Sequence, residues 1–269
     1  MPTFKFDDLD IYYNVFPLVH NSITKNITKN NSKKNETEYL FLLHGNSVSS
    51  KMFKSEIHLF QKYYNVVVFD YPGLGQSQRV SHFRDDYWNY NSLCLEELIK
   101  HLNITGIIDI VGTSGGALTG LNYITRNSDK VRKFIADSFM GYGVNLEESQ
   151  IIVSRRTRAK SQLMSSAFWK SMNGEDWEQV VDQDIDLMVR CGTKSIKTIQ
   201  GDFKSVVCEV LCVAAISDEL IPHTDIKVKE VADDIPNSSL KIYDFGKHPF
   251  MITEKQEFKK LALEFFDLE

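Results

Sequence analysis

Residues 107–123 read IIDIVGTSGGALTGLNY. A β-branched apolar run comes first, a helix-compatible stretch comes last, and between them lies the Gly-x-Ser-x-Gly turn of residues 112–116. A strand, such a turn and a helix form a nucleophile elbow, whose strained backbone lifts the serine hydroxyl out of the sheet. Cβ atoms at Gly112 and Gly116 would collide with the neighbouring strand and helix, which accounts for both glycines. Ser114 is therefore the candidate nucleophile, and the alternative is a glycine-rich turn that cradles phosphate.

The chain around this turn alternates between apolar runs and helical patterns. Helical spacing occurs at 52–60, 91–102 and 254–266, and the apolar runs that predict strands are 39–43, 65–70, 107–111, 131–137, 206–216 and 239–243. This alternation predicts an α/β protein with a mostly parallel sheet and helices on both faces. Before it, residues 4–6 and 10–15 alternate like an antiparallel hairpin. Residues 20–38 are so polar that they predict an exposed, mobile loop.

A long helical segment interrupts the sheet pattern from about residue 141 to residue 203. It is amphipathic, rich in charge, and carries Phe168, Trp169 and Trp177. After a strand that ends near a candidate site, it predicts a helical cap over a pocket, with Trp169 and Trp177 as tentative pocket residues. Residues 1–140 and 204–269 then form the core. The alternative is a helical decoration on the sheet edge.

A serine nucleophile requires a histidine to take its proton and a carboxylate to orient that histidine. His248 lies just after the last predicted strand, which brings it to the same sheet edge as Ser114. Asp218 follows the preceding strand and is the preferred acid, with Glu219 beside it. Asp137, at the end of the strand before the cap, is the alternative acid.

Composition excludes several other classes of protein. The net charge of −5 gives no electrostatic footprint for nucleic acid, and no apolar run has the length of a membrane span. The first residues lack the basic and apolar regions of a signal peptide, so a cytoplasmic location is expected. No metal-ligand spacing surrounds the cysteines, so no metal or cofactor is expected, and reduced core thiols are predicted at Cys94, Cys191, Cys208 and Cys212.

Together these residues resemble the α/β-hydrolase superfamily over nearly the whole chain. His44-Gly45-Asn46 resembles its His-Gly oxyanion-loop motif, and residues 70–77, DYPGLGQS, resemble its Asp-x-Pro-Gly-x-Gly-x-Ser turn. The order serine, aspartate, histidine also matches. The resemblance implies an oxyanion hole made by the backbone N–H groups of Asn46 and Gly115. It leaves His44 a structural role, and Asp70 is expected to fix its own turn.

The implied function is a serine hydrolase that cleaves a small-molecule ester or related acyl bond through an acyl-enzyme, most like a carboxylesterase. Lactonase, amidase, carbon–carbon bond hydrolase and aminopeptidase activities share the same triad, and a non-hydrolytic, ligand-binding relative is the alternative from another class. Arg155, Arg156, Arg158 and Lys160 either bind an anionic part of the substrate or form a solvated helical face, which is the expectation.

Overall fold

The computed structural model describes residues 1–19 and 37–268. The described residues form an eight-stranded sheet in the order β1-β2-β4-β3-β5-β6-β7-β8. The strands are β1 (Thr3–Phe6), β2 (Leu9–Phe16), β3 (Tyr39–Leu43), β4 (Asn65–Phe69), β5 (Ile108–Thr113), β6 (Val131–Asp137), β7 (Glu209–Ala215) and β8 (Ser238–Tyr243). Strands β3 to β8 are parallel, whereas β1 and β2 form an antiparallel hairpin that joins the sheet through β4. The predicted hairpin and the mostly parallel sheet are confirmed, and most of the predicted loop at 20–38 lies outside the described residues.

Strand β3, in the middle of the sheet, is apolar without interruption because both faces of the sheet are buried there. In β3, Phe41 and Leu43 pack on one face, and Leu40 and Leu42 pack on the other. Continuous apolar runs are typical of strands in this position, since neither side chain set meets water.

Helices cover both faces. They are α1 (Lys54–Phe60), α2 (Tyr87–His101), α3 (Gly115–Asn127), α4 (Leu146–Lys160), α5 (Leu163–Asn173), α6 (Trp177–Lys194), α7 (Thr224–Asp234), α8 (Phe250–Thr253) and α9 (Lys255–Phe265), with 3₁₀ turns at Ser50–Phe53 and Ser128–Lys130. Side chains of α2, α3 and α7 bury against one face, and side chains of α1, α8 and α9 against the other. The predicted α/β architecture with helices on both faces is confirmed.

Two predicted boundaries are wrong. Strand β7 begins at Glu209 rather than at 206, because the amide of Val206 turns back to the Phe203 carbonyl and the amide of Val207 bonds to the Ser128 hydroxyl. Helix α2 begins at Tyr87 rather than at 91, and its first turn buries Tyr87 and Trp88. The helix predicted at 254–266 is confirmed as α9, and the short helix α8 precedes it.

Helices α4, α5 and α6 all lie between β6 and β7, within the segment predicted as a cap. They pack against one another, and α5 also packs against the 3₁₀ turn after β3. Elsewhere the four cysteines are buried and free, as predicted. Within residues 1–19 and 37–268, no helix combines the length and apolar character needed to cross a membrane.

Candidate active site

Ser114 occupies the sharp turn between β5 and α3. Its backbone has φ 54° and ψ −122°, and its amide donates a hydrogen bond of 2.7 Å to the Asp137 carbonyl at the end of β6. A Cβ on Gly112 would lie 2.5 Å from the Gly116 carbonyl oxygen, and one on Gly116 would overlap the Leu43 carbonyl of β3. Both glycines are therefore required for the close approach of helix and strand, as the sequence predicted.

His248 bridges the serine and an aspartate. Its Nε2 lies 3.0 Å from Ser114 Oγ, and its Nδ1 lies 2.8 Å from Asp218 Oδ2. The loops that carry Asp218 and His248 follow β7 and β8, at the carboxyl edge where β5 presents Ser114. The structure thus brings together the three residues that the sequence nominated for a triad, in hydrogen-bond contact.

Backbone amides hold the Asp218 carboxylate in place. Its Oδ1 accepts hydrogen bonds from the amides of Leu220 at 2.9 Å and Ile221 at 2.8 Å. Burial acts to raise the pKa of Asp218, but the attraction of His248 and the hydrogen bonds from His248 and these amides outweigh it. The pKa of Asp218 therefore lies below its usual value, and the carboxylate faces the imidazole as an anion.

The other two acidic candidates contact different groups. Asp137 is fully buried and accepts hydrogen bonds from the Thr113 and Ser138 hydroxyls, both at 2.8 Å, and from the Met251 amide at 3.2 Å. Burial raises the pKa of Asp137 to about 6, against the opposing effect of those hydroxyls. Glu219 accepts from the backbone amide of His248 at 2.9 Å and not from its ring.

His44 and Asp70 organise the loops beside the elbow. The buried His44 ring donates from Nδ1 to the Gly45 carbonyl at 2.8 Å and accepts at Nε2 from the Tyr71 amide at 3.3 Å. Burial lowers the pKa of His44, although Asp70 and the Gly45 carbonyl oppose the shift. Asp70 accepts from the Ser50 amide at 2.7 Å and the Gln76 amide at 2.8 Å, so it fixes its own turn and joins it to the loop after β3.

Asn46 lies directly against the elbow. Its Oδ1 occupies the space that a Cβ on Gly115 would need, and the same oxygen accepts from Trp88 Nε1 at 3.2 Å. The backbone segments of Asn46 and Gly115 are thereby held beside Ser114. Asn46 lines the cavity that contains Ser114, and Gly115 follows the serine directly; the oxyanion hole made by their amides stays a prediction.

A buried ion pair secures this loop from the side of the inserted helices. Asp184 of α6 is fully buried and accepts from Asn46 Nδ2 at 2.7 Å and Ser47 Oγ at 2.9 Å. Arg156 of α4 forms an ion pair with Asp184, at 2.8 Å, and donates to Ser47 Oγ at 3.2 Å. Sequence reasoning missed Asp184, because no local pattern marks a partner 138 residues away from Asn46.

The end of α5 is also bound to the core. Asn173 donates to the Ser47 carbonyl at 2.8 Å and accepts from the Gly75 amide at 2.9 Å. Arg79 donates to the Asn173 carbonyl, and the Ser49 hydroxyl donates to the Met172 carbonyl at 2.9 Å. We call this set of contacts the Asn173 clamp. It fastens the α5–α6 junction to the loops after β3 and β4.

A cavity of about 580 Å³ opens at Ser114 and His248. Its apolar wall combines core and inserted helices: Val48, Met52, Met164, Phe168, Trp169 and Ile252. Trp169 therefore lies where the sequence predicted. Trp177 does not line this cavity in the described structure; its ring stacks behind Trp169 at a centroid distance of 6.0 Å.

The expectation of a solvated basic face on α4 is confirmed for Arg155 and Arg158, which are exposed, and is wrong for Arg156, which is buried. Arg155, Arg156 and Arg158 line the cavity, and Arg156 is buried because Asp184 neutralises its charge. Lys160, by contrast, pairs with Asp182 at 2.5 Å and does not line the cavity.

Comparisons with known proteins agree with the fold that carries these residues. Residues 39–155 match the family model described as the alpha/beta hydrolase fold. The chain has the α/β-hydrolase fold. A comparison with curated proteins gives no match by sequence.

Solved structures of several hydrolases superpose over almost the whole chain. A hydrolase from Pseudomonas aeruginosa PA01 has a TM-score of 0.72 at 11% identity, covering 98% of this chain and 97% of the other. The enol-lactonase from Burkholderia xenovorans LB400 has a TM-score of 0.70 at 13% identity, covering 99% and 100%. A meta-cleavage product hydrolase from Pseudomonas fluorescens IP01 has a TM-score of 0.66 at 16% identity, covering 97% and 95%. Such identities establish a shared fold and not a shared substrate.

Proposed function

We propose that this α/β hydrolase is a serine hydrolase that cleaves a small-molecule ester or related acyl bond through an acyl-enzyme. The observation that carries the proposal is the continuous hydrogen-bonded series from Ser114 Oγ through the His248 imidazole to Asp218. A serine hydroxyl alone is a weak nucleophile, and this series supplies both the base and the group that orients it.

The first half-reaction forms the acyl-enzyme. Ser114 Oγ attacks the substrate carbonyl carbon while His248 Nε2 takes the hydroxyl proton, and Asp218 stabilises the resulting imidazolium. The carbonyl oxygen becomes an oxyanion, which accepts hydrogen bonds from the amides of Asn46 and Gly115. When the tetrahedral intermediate collapses, the bond to the alcohol breaks and His248 gives its proton to the departing oxygen.

The second half-reaction restores the enzyme. Water attacks the acyl carbon while His248 takes one of its protons, and a second tetrahedral intermediate forms in the same oxyanion site. Its collapse releases the carboxylic acid and returns the proton to Ser114 Oγ. His248 acts first as a base and then as an acid through Nε2, which contacts Ser114, while Nδ1 stays bonded to Asp218.

Two further observations support acyl transfer. The positive φ of Ser114 is a strained conformation, and strain of this kind clusters at functional sites, active sites among them. Two structural neighbours, an enol-lactonase and a meta-cleavage product hydrolase, are both hydrolases. The carboxylesterase class is the specific form that we propose.

A fluorophosphonate probe and a 4-nitrophenyl ester panel test the proposal together. The wild-type protein should form one covalent adduct at Ser114, located by mass spectrometry, and hydrolyse short-chain esters. Ser114→Ala should lose the adduct and at least about a thousandfold in kcat, since triad members act as a unit. Ser165→Ala removes another hydroxyl of the same cavity and should keep the adduct.

Acid variants sharpen the same experiment. Asp218→Asn should lower kcat far more than Asp137→Asn, because Asp218 bonds the imidazole ring and Asp137 does not. The opposite ranking would move the acid to the end of β6. A wild-type protein that forms no adduct and hydrolyses no ester would favour the non-hydrolytic alternative.

A further inference from the structure

The cavity wall carries more positive than negative charge, although the chain as a whole has a net charge of −5. Arg155, Arg156 and Arg158 of α4 line the cavity that contains Ser114. Glu219 is the one acidic residue among the described residues of this wall. The arginines are therefore concentrated at a place where the overall composition gives no reason to expect them.

Two of these guanidinium groups lack a carboxylate partner. Within residues 1–19 and 37–268, no acidic oxygen lies within 4.0 Å of Arg155 or Arg158, and the hydrogen bond of Arg155 goes to the Leu220 carbonyl at 3.1 Å. Glu219, which could have neutralised them, is held instead by the His248 amide at 2.9 Å.

Arg156 contributes differently. Its Nη1 is occupied by Asp184 and Ser47, which fixes the guanidinium at the inner wall. Its Nε is buried and has no hydrogen-bond partner among the described residues. A buried donor without a partner is costly, and the arginine remains in the wall with unused donor capacity.

The same wall has an apolar part, formed by Met52, Met164, Phe168 and Trp169. We propose that the substrate is an amphipathic carboxylate: its apolar part lies against these side chains, and its carboxylate binds Arg155 and Arg158. This inference rests on the proposed hydrolase function and names the substrate class for that site. The planar guanidinium fork matches a carboxylate better than an ammonium does, and residues three apart on a helix share one face.

Matched esters that differ in one charge test the inference. The mono-4-nitrophenyl ester of adipic acid carries a carboxylate on the acyl chain, and its methyl ester is the neutral partner. A second pair, 4-acetoxybenzoate and its methyl ester, carries the carboxylate on the alcohol side. Uncatalysed hydrolysis of each ester is measured in parallel and subtracted.

The quantity measured is the ratio of kcat/KM for the charged ester to that for its neutral partner. In one pair or the other, the wild-type ratio should be about ten or more at low salt, a factor within the range of charge-assisted hydrogen bonds. It should fall as NaCl rises, because screening weakens attraction at a partly exposed site. The pair that shows the preference identifies the side of the scissile bond that α4 recognises.

Variants locate the charge responsible. The double variant Arg155→Gln/Arg158→Gln should bring the ratio close to one, and Arg158→Glu should lower it further. Lys170→Gln removes an exposed cation of α5 that pairs with Glu175 outside the cavity, and it should keep the wild-type ratio. A similar fall with Lys170→Gln would assign the effect to general surface charge and overturn the inference.

The two proposals fail in different ways. Ratios near one for both pairs, with all four esters hydrolysed, would overturn the carboxylate site and leave the hydrolase function standing. No hydrolysis of any of the four esters, together with no fluorophosphonate adduct, would overturn the hydrolase function and the substrate class with it.

Discussion

Replacing Asp184 with Asn tests whether the inserted helices hold the proposed oxyanion loop in its working geometry. Asp184 is fully buried and receives hydrogen bonds from Asn46 and Ser47 and the charge of Arg156. The substitution keeps the shape of the side chain, removes its negative charge, and leaves Arg156 as a buried cation without a counter-ion. Both folding and catalysis should therefore suffer.

The two effects have different sizes. Removing one partner of a buried ion pair typically costs about 3 to 5 kcal/mol. Because Arg156 retains slight exposure, we expect the substitution to lower the free energy of unfolding by about 3 kcal/mol. Deleting one oxyanion donor typically costs about a hundredfold to a thousandfold in kcat. Asp184→Asn weakens the contact that holds the Asn46 side chain, so the backbone N–H of Asn46 stays present but less well positioned. We therefore expect kcat to fall about tenfold to a hundredfold with little change in KM.

Urea unfolding and neutral-ester kinetics measure these quantities on the same samples. The double variant Asp184→Leu/Arg156→Met separates them, because it replaces the ion pair by apolar side chains and should recover much of the stability. It still leaves Asn46 without its acceptor, so kcat should stay low. Full recovery of kcat along with stability would refute the reasoning and reduce Asp184 to a residue that acts on folding alone.

Two further outcomes follow from the geometry. Trp169→Ala should change the relative kcat/KM for esters of different acyl chain length by about tenfold, since removing one apolar wall alters discrimination by about 1 to 3 kcal/mol. Trp177 lies one layer behind, so Trp177→Ala should mainly lower the melting temperature. Equal effects of the two variants on chain-length preference would contradict this layered arrangement. Because burial raises the pKa of Asp137 to about 6, above the value of about 3.9 expected when unfolded, the folded state binds the extra proton between these pH values, and stability should fall as pH rises from about 4 to about 6. The loss is at most about 3 kcal/mol, from about two pKa units at 1.36 kcal/mol each. This pH-dependent loss of stability should be absent in Asp137→Asn. Urea unfolding of the wild type and the variant from pH 4 to 7 measures it, and the same dependence of stability on pH in both proteins would contradict the prediction.

The sequence predicts the parts of this molecule whose causes are local. The elbow needs glycines within two residues of Ser114, and this local pattern identifies the serine. Asp218 and His248 are identified in the same way, because each lies in a polar turn that follows a predicted strand. Parallel strands all end at one edge of a sheet, which is why three positions so far apart in the chain could be expected to meet.

Features that depend on distant partners could not be predicted in the same way. The charge of Arg156 looks like solvated helix surface until Asp184, 28 positions later and on another helix, is seen to neutralise it. Trp169 and Trp177 have the same local character, and only the packing of α5 over α6 decides which one faces the cavity. Residues 206–208 are apolar enough for a strand, but the amides of Val206 and Val207 donate hydrogen bonds to the Phe203 carbonyl and the Ser128 hydroxyl instead of to a neighbouring strand.

The Asn173 clamp gives α5 two ends of unequal freedom. Its C-terminal end is hydrogen-bonded to the loops after β3 and β4, whereas Leu163 and Met164 at its N-terminal end are more than four-fifths exposed. Segments with few buried contacts open at the lowest free energy. We therefore expect α5 to open first at its N-terminal end, where Met164 lines the cavity beside the arginines of α4. The bonded C-terminal end should keep its contacts with the loops after β3 and β4 during such an opening.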